Sequence, residues 1–262
     1  MTRTGWPIIP VSLRSGRGRG AILGRMTVGE EYRRRGFVAT SRPLADTSVV
    51  PALLADEPAF ARELAWMEAE GRRGVPYLLT DAIRHVAQDA AIVAEVEPIL
   101  GTREWVMWGP NIRRATPNEA DAWHVDLESF LWPTVTVAVG LAGCTAASAT
   151  WCMAGTQRRR EIPPVGTQEQ IADFGDGRFY VFDASVWHRG DRETSRDRLI
   201  LFLHYQRADE PRIPLLVDYY RQWWGREAAP YFTKVEGSGL RRDVARLPWR
   251  YRIDRWMRRW TA

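Results

Sequence analysis

The chain has 262 residues, 45% apolar and 26% charged, which is the make-up of a soluble globular protein and excludes wholesale disorder. Its 37 basic and 32 acidic residues leave a net charge of +5, and every basic residue but Lys234 is arginine. Two cysteines, Cys144 and Cys152, exclude a disulfide framework and a four-thiolate zinc site.

No stretch reaches the roughly 18 apolar residues of a membrane span. The opening MTRTGWPIIPVSLRSGRGRG has no apolar run followed by a small-residue cleavage site. A cytoplasmic location is therefore expected.

Residues 1–25 read as a disordered basic arm, with Arg14, Arg17 and Arg19 alternating with Gly16, Gly18 and Gly20. Residues 26–262 read as a single domain whose first part, 27–100, is helical. A helix over Glu30–Arg35 should lead to a short strand at Phe37-Val38. Pro58 is placed at the first position of a helix that Gly71 stops. Asp81 is expected to cap a helix running through His85, and Asp89 to cap AAIVAEVEPIL, which Gly101 ends.

After Gly101 the texture changes to short runs of Val, Trp, Thr and Phe divided by turn residues. The spacing predicts strands at Glu104–Trp108, Trp123–Asp126, Thr134–Leu141, Ala149–Met153, Arg178–Phe182 and Leu199–Tyr205. Helices followed by strands, without alternation, point to a sandwich or barrel of about 101–206 rather than a doubly wound parallel sheet. Residues 207–262 return to helical character and are dense in Trp and Arg. They are expected to cover the sheet, with indoles packed inward and arginine stems along its edge. At this net charge neither a nucleic acid nor a membrane is expected as a partner.

His124-Val125-Asp126 has the first chemically suggestive spacing. On a strand, residues i and i+2 share a face, so an imidazole and a carboxylate stand side by side as two ready metal ligands. His188 emerges from the turn that follows the strand GRFYVFD, 64 residues beyond His124. Two histidines and one carboxylate form the facial triad of a non-haem iron(II) site, and the same donors also suit zinc. Arg198 opens the apolar run LILFLHY. A guanidinium inside a β-barrel is costly unless it meets an anion, and its geometry favours a bidentate grip on a carboxylate.

Taken together, His124-X-Asp126, His188 within FDASVWHRG, and Arg198 leading into a hydrophobic strand resemble the phytanoyl-CoA dioxygenase family. The segment EYRRRGFVAT resembles that family's usual opening, and the likeness covers Glu30 to Gln206. It implies a double-stranded β-helix (jelly-roll, cupin-like) core with flanking helices. It implies an iron(II)- and 2-oxoglutarate-dependent dioxygenase, with His124, Asp126 and His188 on iron and Arg198 on the far carboxylate of 2-oxoglutarate. Asn111 matches a position where some members direct an amide toward the cosubstrate. Three protein ligands leave room for 2-oxoglutarate and O2 on the metal, and oxidation of a substrate C–H bond follows.

Halogenation is not expected, because Asp126 occupies the position where related halogenases carry a small residue. Three positions depart from the family pattern. Ala154 and Gln157 replace a proline and a histidine, and Gly190 stands where many members place a serine or threonine.

Trp123, Glu128 and Trp132 flank the ligand pair and are expected to contact substrate, since indole faces with a few polar groups suit sugars and polyols. Trp105 and Trp108 lie on the preceding strand, and His85 and His204 read as structural. The arginine-rich, lysine-poor composition suggests a high-GC bacterium, and the resemblance extends to members that tailor natural products by hydroxylation or oxidative ring closure, including orthosomycin-type antibiotics. The reading that stays open beside this one is a β-barrel that binds a metal or a ligand without oxidising it.

Overall fold

The structure, a computed structural model, describes residues 26–69, 80–115, 123–126, 134–157, 167–190 and 198–209. The expected arm lies outside these residues, as does nearly all of the expected C-terminal cover.

Helix α1 (Val28–Arg35) opens with a reciprocal cap in which Thr27 and Glu30 satisfy each other's backbone N–H groups. It ends at Gly36, whose φ of 83° is the left-handed conformation that closes a helix. A side chain at Gly36 would also drive its Cβ to 2.2 Å from Val186. The helix therefore abuts the turn that leads to His188. The expected strand at Phe37-Val38 is reduced to an isolated bridge between Phe37 and Phe182, and a two-residue strand β1 (Arg42–Pro43) follows.

Helix α2 runs from Val49 to Ala69 and contains Pro58, so the expected start at that proline is corrected by nine residues. The preceding turns carry Val49 and Leu53, both in the core, and their burial holds the helix together across a residue that lacks a backbone donor. Helix α3 (Asp81–Ala87) is capped by Thr80 rather than Asp81: the threonine hydroxyl accepts from the Ile83 amide at 3.2 Å. Asp81 falls in the first turn, where a carboxylate faces the positive end of the helix.

Helix α4 (Ala90–Leu100) is capped by Asp89 and closed by Gly101, as expected. Asp89 is buried and also accepts from the amides of Ala45 and Asp46 at 3.1 and 3.0 Å. One carboxylate thus ties the helix to the segment after β1.

The strands form two antiparallel sheets. The larger contains β1, β2 (Trp105–Ala115), β3 (Val135–Ala142), β6 (Arg178–Asp183) and β8 (Arg198–Arg207), in the order β1-β6-β3-β8-β2. The smaller contains β4 (Trp151–Met153), β5 (Gln168–Gln170) and β7 (His188–Arg189), in the order β5-β4-β7. Strand β5 was not anticipated. Strand β2 extends past the expected Trp108 because a register irregularity between Trp108 and Asn111 accommodates Gly109-Pro110. The expected strand Trp123–Asp126 is realised only as a single bridge, His124 to His188.

Alternation decides what each face meets. Val135, Val137, Val139 and Leu141 of β3 join Leu199, Leu201, Leu203 and Tyr205 of β8 in a core with Leu53, Ile83, Val86, Ile92 and Val96 of the helices. The opposite face carries Ala138, Tyr180, Phe182 and Ile200, which pack with Cys152, Ile171, Phe174 and Val186. The large sheet is therefore covered by helices on one side and by the smaller sheet on the other, which is why its central strands are mostly apolar on both faces.

Both cysteines are buried, and burial raises their thiols, Cys144 to about 12, so neither is a nucleophile. Among the described residues no helix is long and apolar enough to cross a membrane.

His204, on the inner row of β8, lies 3.1 Å from the Thr136 hydroxyl through Nδ1. Its side chain is half-buried. Burial pushes its pKa down to about 4, with the Asp126 charge opposing.

Two stability tests follow from these contacts. Replacing Asp89 by alanine strands four backbone donors and should lower unfolding free energy by about 2–3 kcal/mol. Asp89→Ser, which keeps the helix cap, should lose less in the same denaturant titration. For His204 the unfolded imidazole titrates near about 6.5 and so takes its proton first as the pH falls. Its contribution is whole above that value and declines toward the folded pKa of about 4. His204→Asn should remove on the order of 2 kcal/mol of the acid loss between those limits, read as the difference between denaturation curves at the two pH values.

Candidate metal centre

The ligand-bearing turn is built by local polar contacts. At the end of β6 the Asp183 carboxylate accepts from the Ser185 amide and hydroxyl at 2.8 and 2.6 Å, the Asx-type turn that the Asp-Ala-Ser sequence favours. The Asp183 amide is held by the Gly36 carbonyl, and the Trp187 amide by the Thr156 hydroxyl at 3.0 Å. The chain then enters β7 with His188 directed between the sheets.

His188 is oriented from two sides. Its Nδ1–H donates to the Val186 carbonyl at 2.8 Å, which leaves the Nε2 lone pair for a ligand role. The Phe182 ring meets the imidazole edge-on with centroids 5.2 Å apart.

His124 stands opposite His188 in an antiparallel bridge closed by two backbone hydrogen bonds, of 3.0 and 2.9 Å, and the imidazole centroids are 4.4 Å apart. Asp126, two residues on, reaches the same space. Its Oδ1 lies 3.7 Å from His124 Nε2 and 3.9 Å from His188 Nε2. One donor atom from each residue falls within 4.8 Å of the others, a spacing that one metal ion can bridge. The side chains of His124 and Asp126 are 36% and 39% exposed, so the centre is reachable, whereas that of His188, at 8%, forms its floor. Two neutral nitrogens and one carboxylate oxygen on one side fit a divalent ion with open positions opposite.

Arg198 opens β8 and is buried at 4% exposure, on the same inner row as Ile200, Phe202 and His204. Its Nη2 lies 3.5 Å from where a Cβ would stand on Gly190, two residues beyond His188. The guanidinium therefore adjoins the strand that carries a metal ligand. Gly190 departs from the expected serine or threonine by presenting bare backbone there. Gln157, another departure, ties its loop to the end of α1 by donating to the carbonyls of Tyr32 and Arg33 at 3.4 and 3.3 Å.

The remaining expected residues are distributed unevenly. Asn111 lies on β2 in register with Phe202. Trp123 does not stand beside the imidazoles. Strand alternation turns it to the other face, where Arg189 sits 5.3 Å over its ring. Trp105 packs edge-on against Tyr205 in the helix-side core. Glu128 and Trp132 lie outside the described residues.

His85 pairs with Asp46 at 3.3 Å on the surface, the structural role expected for it. His204, expected to be structural, bonds through Nδ1 with the Thr136 hydroxyl and shares the inner row of β8 with Arg198. The sequence signal was parity: Arg198 and His204 are six residues apart on one strand and so share a face.

No protein-family model matches the sequence, and no curated protein matches it. Solved structures do match. The non-haem monooxygenase ThoJ, solved as a nickel complex, is 18% identical with a TM-score of 0.55, covering 71% of this chain and 78% of its own. AviO1 from Streptomyces viridochromogenes is 16% identical with a TM-score of 0.51, covering 72% and 98%. The epimerase SnoN, in complex with Fe3+, alpha-ketoglutarate and nogalamycin RO, is 18% identical with a TM-score of 0.51, covering 69% and 82%. Over about 70% of its length the chain has the fold of these proteins, two of which are described as non-haem enzymes.

Proposed function

We propose that this protein is an iron(II)- and 2-oxoglutarate-dependent oxygenase acting in bacterial natural-product biosynthesis. Its two sheets would be the halves of a double-stranded β-helix within one catalytic domain, 26–262. The reaction would oxidise a C–H bond of a small sugar-containing or polyol metabolite, by hydroxylation or oxidative ring closure. The observation that carries this reading is the meeting of His124, Asp126 and His188, from two distant segments, beside a buried arginine. The alpha-ketoglutarate and iron in the SnoN structure, and the monooxygenase description of ThoJ, support it.

The donor set fits iron, and the buried guanidinium beside Gly190 fits a dicarboxylate cosubstrate. When bound, this pair would couple the reduction of dioxygen and the loss of carbon dioxide from 2-oxoglutarate, leaving succinate, to a two-electron oxidation of the substrate. His188, with its Nδ1–H held by the Val186 carbonyl, presents Nε2 in a fixed direction. Asp126 supplies the one negative charge among the three ligands. Arg198 would receive the far carboxylate, and its burial would make that pairing both strong and orienting. Asn111, in register with the inner row of β8, would give a second contact to the cosubstrate. His204, neutral near pH 7, would offer a hydrogen-bonding ring to a polar substrate within the barrel. Phe182 and Ile200, both buried, would keep water from the inner side of the centre.

Anaerobic titration with Fe(II) and 2-oxoglutarate should produce the visible metal-to-ligand absorption band with one iron per chain. His188→Ala should abolish the band and succinate formation while leaving a soluble fold. Arg198→Ala should weaken 2-oxoglutarate binding about 30-fold or more, the cost of removing one partner of a buried charge pair. Iron affinity in that variant should change little. Metal binding without any 2-oxoglutarate band in the parent would favour a non-oxidative metal- or ligand-binding barrel instead.

A further inference from the structure

The His124–His188 bridge has a second side. In an antiparallel pair the residue before His124 stands opposite the residue after His188, so Trp123 and Arg189 are cross-strand neighbours. Arg189 is in turn paired with Trp151 on β4. Three side chains thus form a row across the outer face of the small sheet, behind the inner row of His124, His188 and Cys152. The Arg189 guanidinium carbon lies 5.3 Å from the Trp123 ring centre and 5.7 Å from that of Trp151, within cation–π range of both. Its Nε is buried and, among the described residues, has no hydrogen-bond partner. The two indole faces are its described contacts.

The segment that carries two of the three candidate ligands is tied to β7 and to the turn before it. Among the described residues, 123–126 joins the rest through three backbone hydrogen bonds: His124 to His188 in both directions, and the Asp126 amide to the Ala184 carbonyl at 3.0 Å. We infer that the Trp123–Arg189–Trp151 row is an external staple that sets the spacing of His124 and Asp126 against His188, with Arg189 as its positioning residue. Arg189 stands on the outer row, one residue from His188. It acts by clamping one ligand segment to the strand of the other, and Trp151 anchors the clamp to β4. This inference rests on the metal centre proposed above.

The test is titration with Co(II), anaerobic and without cosubstrate, read by the visible d–d spectrum and by calorimetry. Arg189→Ala should raise the Kd for Co(II) about 10- to 100-fold, the range seen when outer supports of metal ligands are removed. It should also alter the d–d band, because the ligand spacing relaxes. Trp123→Phe, which keeps an aromatic face, should recover most of the affinity that Trp123→Leu loses. Those two variants also carry the test should Arg189→Ala fail to fold. A fall in thermal stability of Arg189→Ala or Trp123→Leu with an unchanged Co(II) Kd and spectrum would overturn the staple. Absence of Co(II) binding in the parent, or its persistence in His188→Ala, would overturn the metal centre itself and the staple with it.

Discussion

Two backbone hydrogen bonds between His124 and His188 fix the separation on which the site depends. The residues are far apart along the chain, and a single antiparallel bridge brings their imidazole centroids to 4.4 Å. Every other ligand relation follows from strand parity. Asp126 joins His124 on the inner face because it is two residues on. Trp123 and Arg189 are sent to the outer face because each is one residue away. The same bridge therefore builds a reactive row inside and a supporting row outside, and a register slip of one residue would exchange the two.

The large sheet gives this bridge a rigid base. Its helix-side face is fully apolar, so Leu, Val and Tyr side chains of β3 and β8 are locked against α2, α3 and α4. The inner face is more varied. Ala138 and Tyr180 are buried beneath the small sheet, while Phe202 and His204 keep some accessible surface. Gly140 of β3 lies tight against the turn before β6, since a Cβ there would fall 2.3 Å from the Gly175 carbonyl oxygen.

The electrostatics of the interior are sparse and specific. The thiols of Cys144 and Cys152 are held protonated by burial, and the His204 ring is held neutral by the same effect. Among the described residues, Asp126 and Arg198 carry charges of opposite sign close to β7. Burial makes the Arg198 charge count for more than it would in water. An interior of this kind orients a charged small molecule strongly and a neutral one by shape and hydrogen bonding.

Several features were legible because they are local. Asp89 and Gly101 bound α4 since caps act within a few residues, and the Asp183–Ser185 turn follows from side-chain acceptors reaching their own backbone. His124-X-Asp126 was readable as a ligand pair for the same reason, as period two is a property of one strand. Pro58 misled because α2 is stabilised by burial of Val49 and Leu53 against residues remote in sequence. Thr80 displaced Asp81 as a cap because its hydroxyl accepts from the Ile83 amide, which leaves Asp81 inside the first turn.

By itself the sequence determined the types of donor, the parity of each strand and the apolar faces that demand burial, all of which arise from covalent geometry over a few residues. Only the tertiary structure decided that His188 meets His124 rather than another partner, that Arg189 lies between two indoles, and that His204 looks inward. Those outcomes depend on which strands pair and in what register, and pairing is settled by the packing of the whole sheet against its helices, not by any segment alone.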